Sequence, residues 1–246
     1  MRAIRRIAVV VLALMLCFST AAVADRGHGN NDRVSVVPAN RVGWNSGGEL
    51  LKDWFSQNLS MKAFESPFEG QANVCLDLGR RGQIPSPAGG EALANDPFTI
   101  EMTCTVKLGQ SVLLVGPSAD CSSNEPSEPN DFQAFTPWEQ RKCALGWLAT
   151  FPIQSLDVSV DDQRPVDIYS PRFLAVSPQG RTVFDAEDPV FDAKPGKATF
   201  VAAAWIAEIR GMGKGDHVVK LETTLNGENG ATTVRTFIVH FRVSGR

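Results

Sequence analysis

Four cysteines, Cys75, Cys104, Cys121 and Cys143, constrain this chain more than any other feature, because their use depends on the compartment in which it folds. No two of them have C-x-x-C spacing, and His28, His217 and His240 lie far from them in sequence, which argues against a metal site. The N-terminus supplies the compartment. Arg2, Arg5 and Arg6 precede an apolar run from Ile7 to Phe18 that is too short to span a bilayer, and Ala22-Val23-Ala24 then offers the small side chains a signal peptidase needs. We expect residues 1–24 to be a signal peptide cleaved after Ala24, which removes Cys17 and leaves an even set of cysteines in an oxidising environment. Leu16 before Cys17 argues against lipoprotein processing, and Arg5-Arg6 lacks the surroundings of a twin-arginine signal. Of the three possible connectivities, the expected one is Cys75–Cys104 with Cys121–Cys143, each bridge contributing roughly 3 to 4 kcal/mol in the chain-entropy model.

Charge narrows the partners. The full chain has 24 Lys and Arg against 27 Asp and Glu, and cleavage takes three arginines (24 − 3 = 21), for a mature net charge near −6. That sign excludes nucleic acid as an expected partner. After the signal, no apolar run approaches the ~20 residues of a membrane helix. The expected location is therefore secreted, either extracellular or associated with the cell envelope.

Hydrophobic periodicity sets the fold class. Residues 25–43 are polar and rich in Gly and Asn at their start, and are expected to form a flexible tail. Leu50, Leu51, Trp54 and Phe55 recur at helical spacing behind Ser46 and Gly47-Gly48, which predicts a short amphipathic helix over Glu49 to Asn58, with Trp44 beside it. A second helix is predicted from Pro137 to Ala149, with Thr136 as N-cap, Pro137 at the first position and Glu139 in the first turn.

Strands are read at Val74 to Leu78, Phe98 to Val106, Ser111 to Val115, Leu156 to Val160, Pro165 to Ile168, Arg172 to Val176, Ala198 to Ile209, Asp216 to Leu225 and Thr232 to Val243, by period-two alternation at Val74 to Leu78 and Leu156 to Val160 and by a near-continuous apolar run at Phe200 to Ile206. Lys107 to Gln110 reads as a hairpin turn between the second and third of these, and Ser118 to Asn130 as an irregular loop. The pattern predicts a mainly β protein: one antiparallel β-sandwich domain over 44–246, with two short helices and two disulfide staples.

Cys104-Thr105-Val106-Lys107-Leu108-Gly109, the run Asp120-Cys121-Ser122-Ser123-Asn124-Glu125, the Val160 to Val166 hairpin and Gly215-Asp216-His217-Val218-Val219 carry a resemblance. In order and spacing they resemble a group of uncharacterised secreted bacterial proteins common in actinobacteria, over most of residues 44–243. Such proteins share an aromatic-rich helix near the mature N-terminus, matched here by Trp44 to Phe55, and a strand pair and loop of the C-T-V-x-x-G and C-S-x-x-E type. The resemblance implies one disulfide-bonded sandwich and no particular chemistry.

Candidate site residues are few. Asp120 and Glu125 bracket Cys121, and a carboxylate beside His217 would make that ring a general base, so these three are the candidate catalytic residues. The simpler reading of His217 is a packed ring with one hydrogen bond, and polar loops carry acids without a site. Asp157, Asp161 and Asp162 belong to a strand and its turn rather than to a calcium loop. No nucleophile elbow, zinc helix or phosphate loop occurs, so no cofactor or metal is expected. The five tryptophans, at 44, 54, 138, 147 and 205, read as core residues, although two on one exposed face would stack on a ligand. The expected function is an extracellular binding or interaction module, with a ligand in the medium or the cell envelope. The alternative is a secreted hydrolase or lyase acting on a polymer. A cleft joining His217 to Asp120 or Glu125 favours the enzyme, and an exposed aromatic face favours the binder.

Overall fold

The structure, a computed structural model, describes residues 34–39, 46–68, 73–78, 82–86, 99–124, 134–227 and 230–245. The expected signal peptide, Trp44 and Glu125 lie outside them. All the described residues fall in one compact unit, Asn31–Arg246.

The strands are β1 (Ser35–Pro38), β2 (Val74–Asp77), β3 (Gln83–Ser86), β4 (Thr99–Lys107), β5 (Val112–Ser122), β6 (Ile153–Val160), β7 (Val166–Asp167), β8 (Leu174–Val176), β9 (Gly180–Phe184), β10 (Gly196–Arg210), β11 (Gly215–Asn226) and β12 (Thr232–Ser244). Helices α1 (Gly47–Leu59) and α2 (Pro137–Thr150) match the two predicted from periodicity. One sheet of seven strands runs β1-β10-β5-β3-β2, with β8 and β9 also on β10; a sheet of five runs β4-β12-β11-β6-β7. Pairing is antiparallel except at β12–β4 and β3–β5.

Three expectations change. The tail expected over 25–43 is strand from Ser35 to Pro38, because Val36 and Val37 supply enough β-propensity to pair with β10. The hairpin expected at Lys107 to Gln110 is a crossing between sheets: β4 pairs with β12, whereas β5 pairs with β10. A tight turn with Gly109 at φ +80° allows either outcome, so the turn alone does not choose the partner. Finally, the loop expected from Ser118 is the end of β5 as far as Ser122.

The long strand β10 organises the layers. Phe200, Ala202, Ala204 and Ile206 face α1 and pack with Leu50, Leu51, Trp54, Phe55 and Leu59. On the other face, Ala203 and Trp205 meet α2, while Ala207 and Ile209 meet the five-stranded sheet. The strand is thus buried on both sides, which is why its sequence reads as a continuous apolar run rather than an alternation. Between Ala204 and Ile206 the register with β5 slips, so that Gly116 and Pro117 oppose one residue. Proline cannot donate to a ladder, and a bulge is where a strand tolerates it. The bulge reverses the parity of β5, placing Val112, Leu114, Ala119 and Cys121 on one face.

Both disulfides take the expected pairing, with Cα separations of 5.8 Å for Cys75–Cys104 and 6.0 Å for Cys121–Cys143. The first joins an edge strand of one sheet to an edge strand of the other. The second ties β5 to α2.

Candidate functional site

Two of the candidate catalytic residues, Asp120 and His217, do not share a cleft. Asp120 pairs in register with Ala202, whose side chain packs towards α1, so its carboxylate lies on the α1 face of the seven-stranded sheet. His217 lies on β11 of the five-stranded sheet, which packs against the opposite face. A layer of sheet separates them. Glu125 is outside the described residues.

What His217 meets instead is Asp161, the first residue after β6. Its Nδ1 is 3.0 Å from Asp161 Oδ2, and its Nε2 is 3.0 Å from the carbonyl oxygen of Gly213. Asp161 Oδ1 also accepts the backbone N–H of Val218 at 2.9 Å. Burial lowers the affinity of this imidazole for a proton, but the hydrogen bonds to Asp161 and Gly213, then the charges of Asp161 and Asp216, outweigh it and hold its pKa above 6.5. A histidine whose two ring nitrogens both face acceptors has its protonated form favoured, and is a poor general base.

The surface that stands out is α2. Its N-terminus is a capping box: Thr136 Oγ1 accepts from Glu139 N, while Glu139 Oε2 accepts from the backbone N–H groups of Thr136 and Phe135. Hydrogen bonds from Thr136, backbone first and then hydroxyl, and from Phe135 push the Glu139 carboxyl below its ordinary pKa. The inner face is narrow, made of Gln140, Ala144 and Leu148 with the Cys143 bridge. Gln140 Nε2 donates to the carbonyls of Ala134 at 3.1 Å and Thr199 at 2.8 Å, and its Oε1 accepts from Gln179 Nε2 at 2.9 Å.

So narrow a seat leaves large side chains outside. Trp138 is 65% exposed, Trp147 56% and Phe135 59%. These tryptophans are not the core residues expected from sequence. Trp54 is buried, with Nε1 donating to Ser86 Oγ at 2.6 Å, and Trp205 packs half-buried against Tyr169 at 5.0 Å between ring centres. The signal was present: nine residues at ~100° each put Trp138 and Trp147 about half a revolution apart, so one buried stripe cannot hold both. Between them Lys142, Gly146 and Thr150 line a shallow trough of about 360 Å³, with Trp147 and Cys143 as its wall. Gly146 keeps its floor open, since a Cβ there would meet nothing within 4 Å. Lys142 Nζ stands 5.5 Å from the centre of the Trp138 ring.

A larger groove, about 580 Å³, follows β9 past Ser56, Ser60, Arg181, Thr182 and Lys197. Three of its hydroxyls are already spent on backbone: Ser56 donates to the Arg181 carbonyl, Ser60 to Gln57 and Thr182 to Ser56. Among the described residues no cluster of His, Cys, Asp and Glu could hold a metal ion, and no helix is long and apolar enough to cross a membrane.

No family model matches the chain, and no curated protein matches it. Solved structures that align with it include PbICP-C, from a complex with falcipain-2, at 9% identity over 59% of this chain and 89% of that one, with a TM-score of 0.23. Amebosin aligns at 12% identity over 59% of this chain and 96% of its own, with a TM-score of 0.21. Similarity at that level carries no functional argument.

Proposed function

We propose that this protein is a secreted, non-catalytic binding module that docks an anionic partner of the medium or the cell envelope on the outward face of α2. The observation that carries the reading is the exposure of Trp138 and Trp147 on a helix clamped by a capping box, a disulfide and the Gln140 network. Exposed aromatics on a rigid element are expensive to leave in water and are typical anchors of recognition surfaces. Charge supports the class of partner. The exposed Lys142 lies on this face, while Glu139 is consumed by the cap, so the face presents a cation in a chain that is net negative. The two disulfides fit the oxidising compartment that the reading requires.

Sedimentation with insoluble acidic envelope polymer, followed by tryptophan fluorescence, tests it. The double variant Trp138→Ala/Trp147→Ala should weaken binding about tenfold or more, and rising salt should weaken the native protein. Gly146→Leu, which fills the trough without touching the core and replaces a poor helix former by a good one, should do the same without lowering Tm. Equal binding by the native protein and both variants would remove α2 from the reading.

A further inference from the structure

We infer that His217 is a pH-sensitive latch: its protonated ring pins the loop between β10 and β11 to the turn after β6, and so holds Met212 over the end of the core between the sheets. The geometry is specific. Both ring nitrogens face groups that only accept, the Asp161 carboxylate and the Gly213 carbonyl, each at 3.0 Å. A neutral imidazole has one N–H, so on losing its proton the ring must give up one of these bonds and set a lone pair against an acceptor. Only the imidazolium satisfies both.

The two partners sit on different segments. Asp161 is fixed at the head of its turn: its backbone N–H donates to the Val218 carbonyl at 2.7 Å, its Oδ1 accepts from Val218 N, and its φ of +50° is the left-handed conformation that aspartate tolerates. Gly213 lies in the run Gly211-Met212-Gly213-Lys214-Gly215, where Gly211 and Gly215 have φ of +79° and +136°. That backbone is intrinsically loose. Met212 nevertheless packs into the core between the sheets, only 8% exposed. His217 is the side chain that ties the loop carrying this plug to the turn.

The charges that face His217 are Asp161 from the turn and Asp216 beside it on β11, the latter also accepting from Arg242 Nε of β12 at 3.2 Å. Both carboxylates favour the charged ring. Because the folded pKa is raised, the latch is complete below about pH 6.5 and is lost as pH rises through the folded value.

NMR of the whole protein tests this, with the ring of His217 titrated directly and amide protection factors of residues 211–214 compared at about pH 5.5 and about pH 8.5. The expected result is a His217 titration above 6.5 and a loss of loop protection of about fivefold or more at the higher pH. His217→Gln should abolish that difference. Asp161→Asn, which keeps the Val218 contact and removes the charge, should move the His217 titration down, and it carries the test if the first variant folds poorly. A titration at or below 6.5, loop protection equal at the two pH values, or a titration unmoved in Asp161→Asn would each overturn the latch.

Discussion

Asn58, on the last turn of α1, is fully buried, and neither its amide nitrogen nor its amide oxygen finds a partner among the described residues. Its neighbour Ser66, also buried, donates instead to the Asn58 backbone carbonyl at 3.3 Å. An amide stripped of water without replacement bonds costs about 1 to 3 kcal/mol, while leucine has a similar branched shape and no polar atoms. Asn58→Leu should therefore raise stability by about 1 kcal/mol, read as an upward shift in the denaturation midpoint. A contrast is Glu208, equally buried, whose carboxylate takes Arg210 Nη2 at 2.6 Å and Ser111 Oγ at 2.8 Å. That hydrogen bond to Glu208 also raises the Arg210 pKa. Removing one member of this set should be costly where removing the Asn58 amide is not.

At the scale of elements, the start of α1 shows how close packing reverses a propensity rule. Glycine near the first turn of a helix normally gains from replacement by alanine, by up to about 1 kcal/mol. Here a Cβ on Gly48 would lie 2.5 Å from the Val176 carbonyl of β8, and one on Gly47 would lie 2.7 Å from that of Ala39. Both obstacles are backbone and cannot rotate away. Gly48→Ala should destabilise the protein by about 1 to 3 kcal/mol, measured by urea unfolding, with the helix pushed off its seat. The same closeness explains why Ser46 caps this helix through Glu49 N while the two residues between are the smallest available.

For the whole molecule, the two bridges divide the work. Cys75–Cys104 couples the edges of the two sheets across a separation of 29 residues, whereas Cys121–Cys143 couples a strand to a helix across 22. Loop-closure entropy makes them nearly equal in the unfolded chain, roughly 3 to 4 kcal/mol each. Their consequences in the native state differ. Cys75→Ser/Cys104→Ser should lower the global unfolding midpoint, while Cys121→Ser/Cys143→Ser should in addition release α2, raising protease cleavage at Arg141 and Lys142 and weakening any ligand held by its tryptophans. Thermal unfolding and limited proteolysis of the two double variants separate these outcomes.

The fold class was legible in the sequence because side-chain periodicity and cysteine parity are local signals: alternation over Val74 to Leu78 and Leu156 to Val160, helical spacing over Leu50 to Phe55, and the Thr136-Pro137-Glu139 cap each report on a few neighbouring residues. Pairing between strands is not local. The turn at Lys107 to Gln110 fits a hairpin, yet β4 lies parallel to β12, because burying Met102, Cys104 and Val106 against the opposite sheet outweighs the short loop. The site was less legible for the same reason. His217 was visible as a titratable group, but its partners, Asp161 and a glycine carbonyl, come from two other connections, and whether Trp138 and Trp147 are core or surface depends on how much of α2 the sheet beneath it covers. Sequence determined which segments are strands, which are helices and which cysteines were available to pair. Tertiary structure decided which faces met, since burial is a property of surfaces brought together from distant parts of the chain.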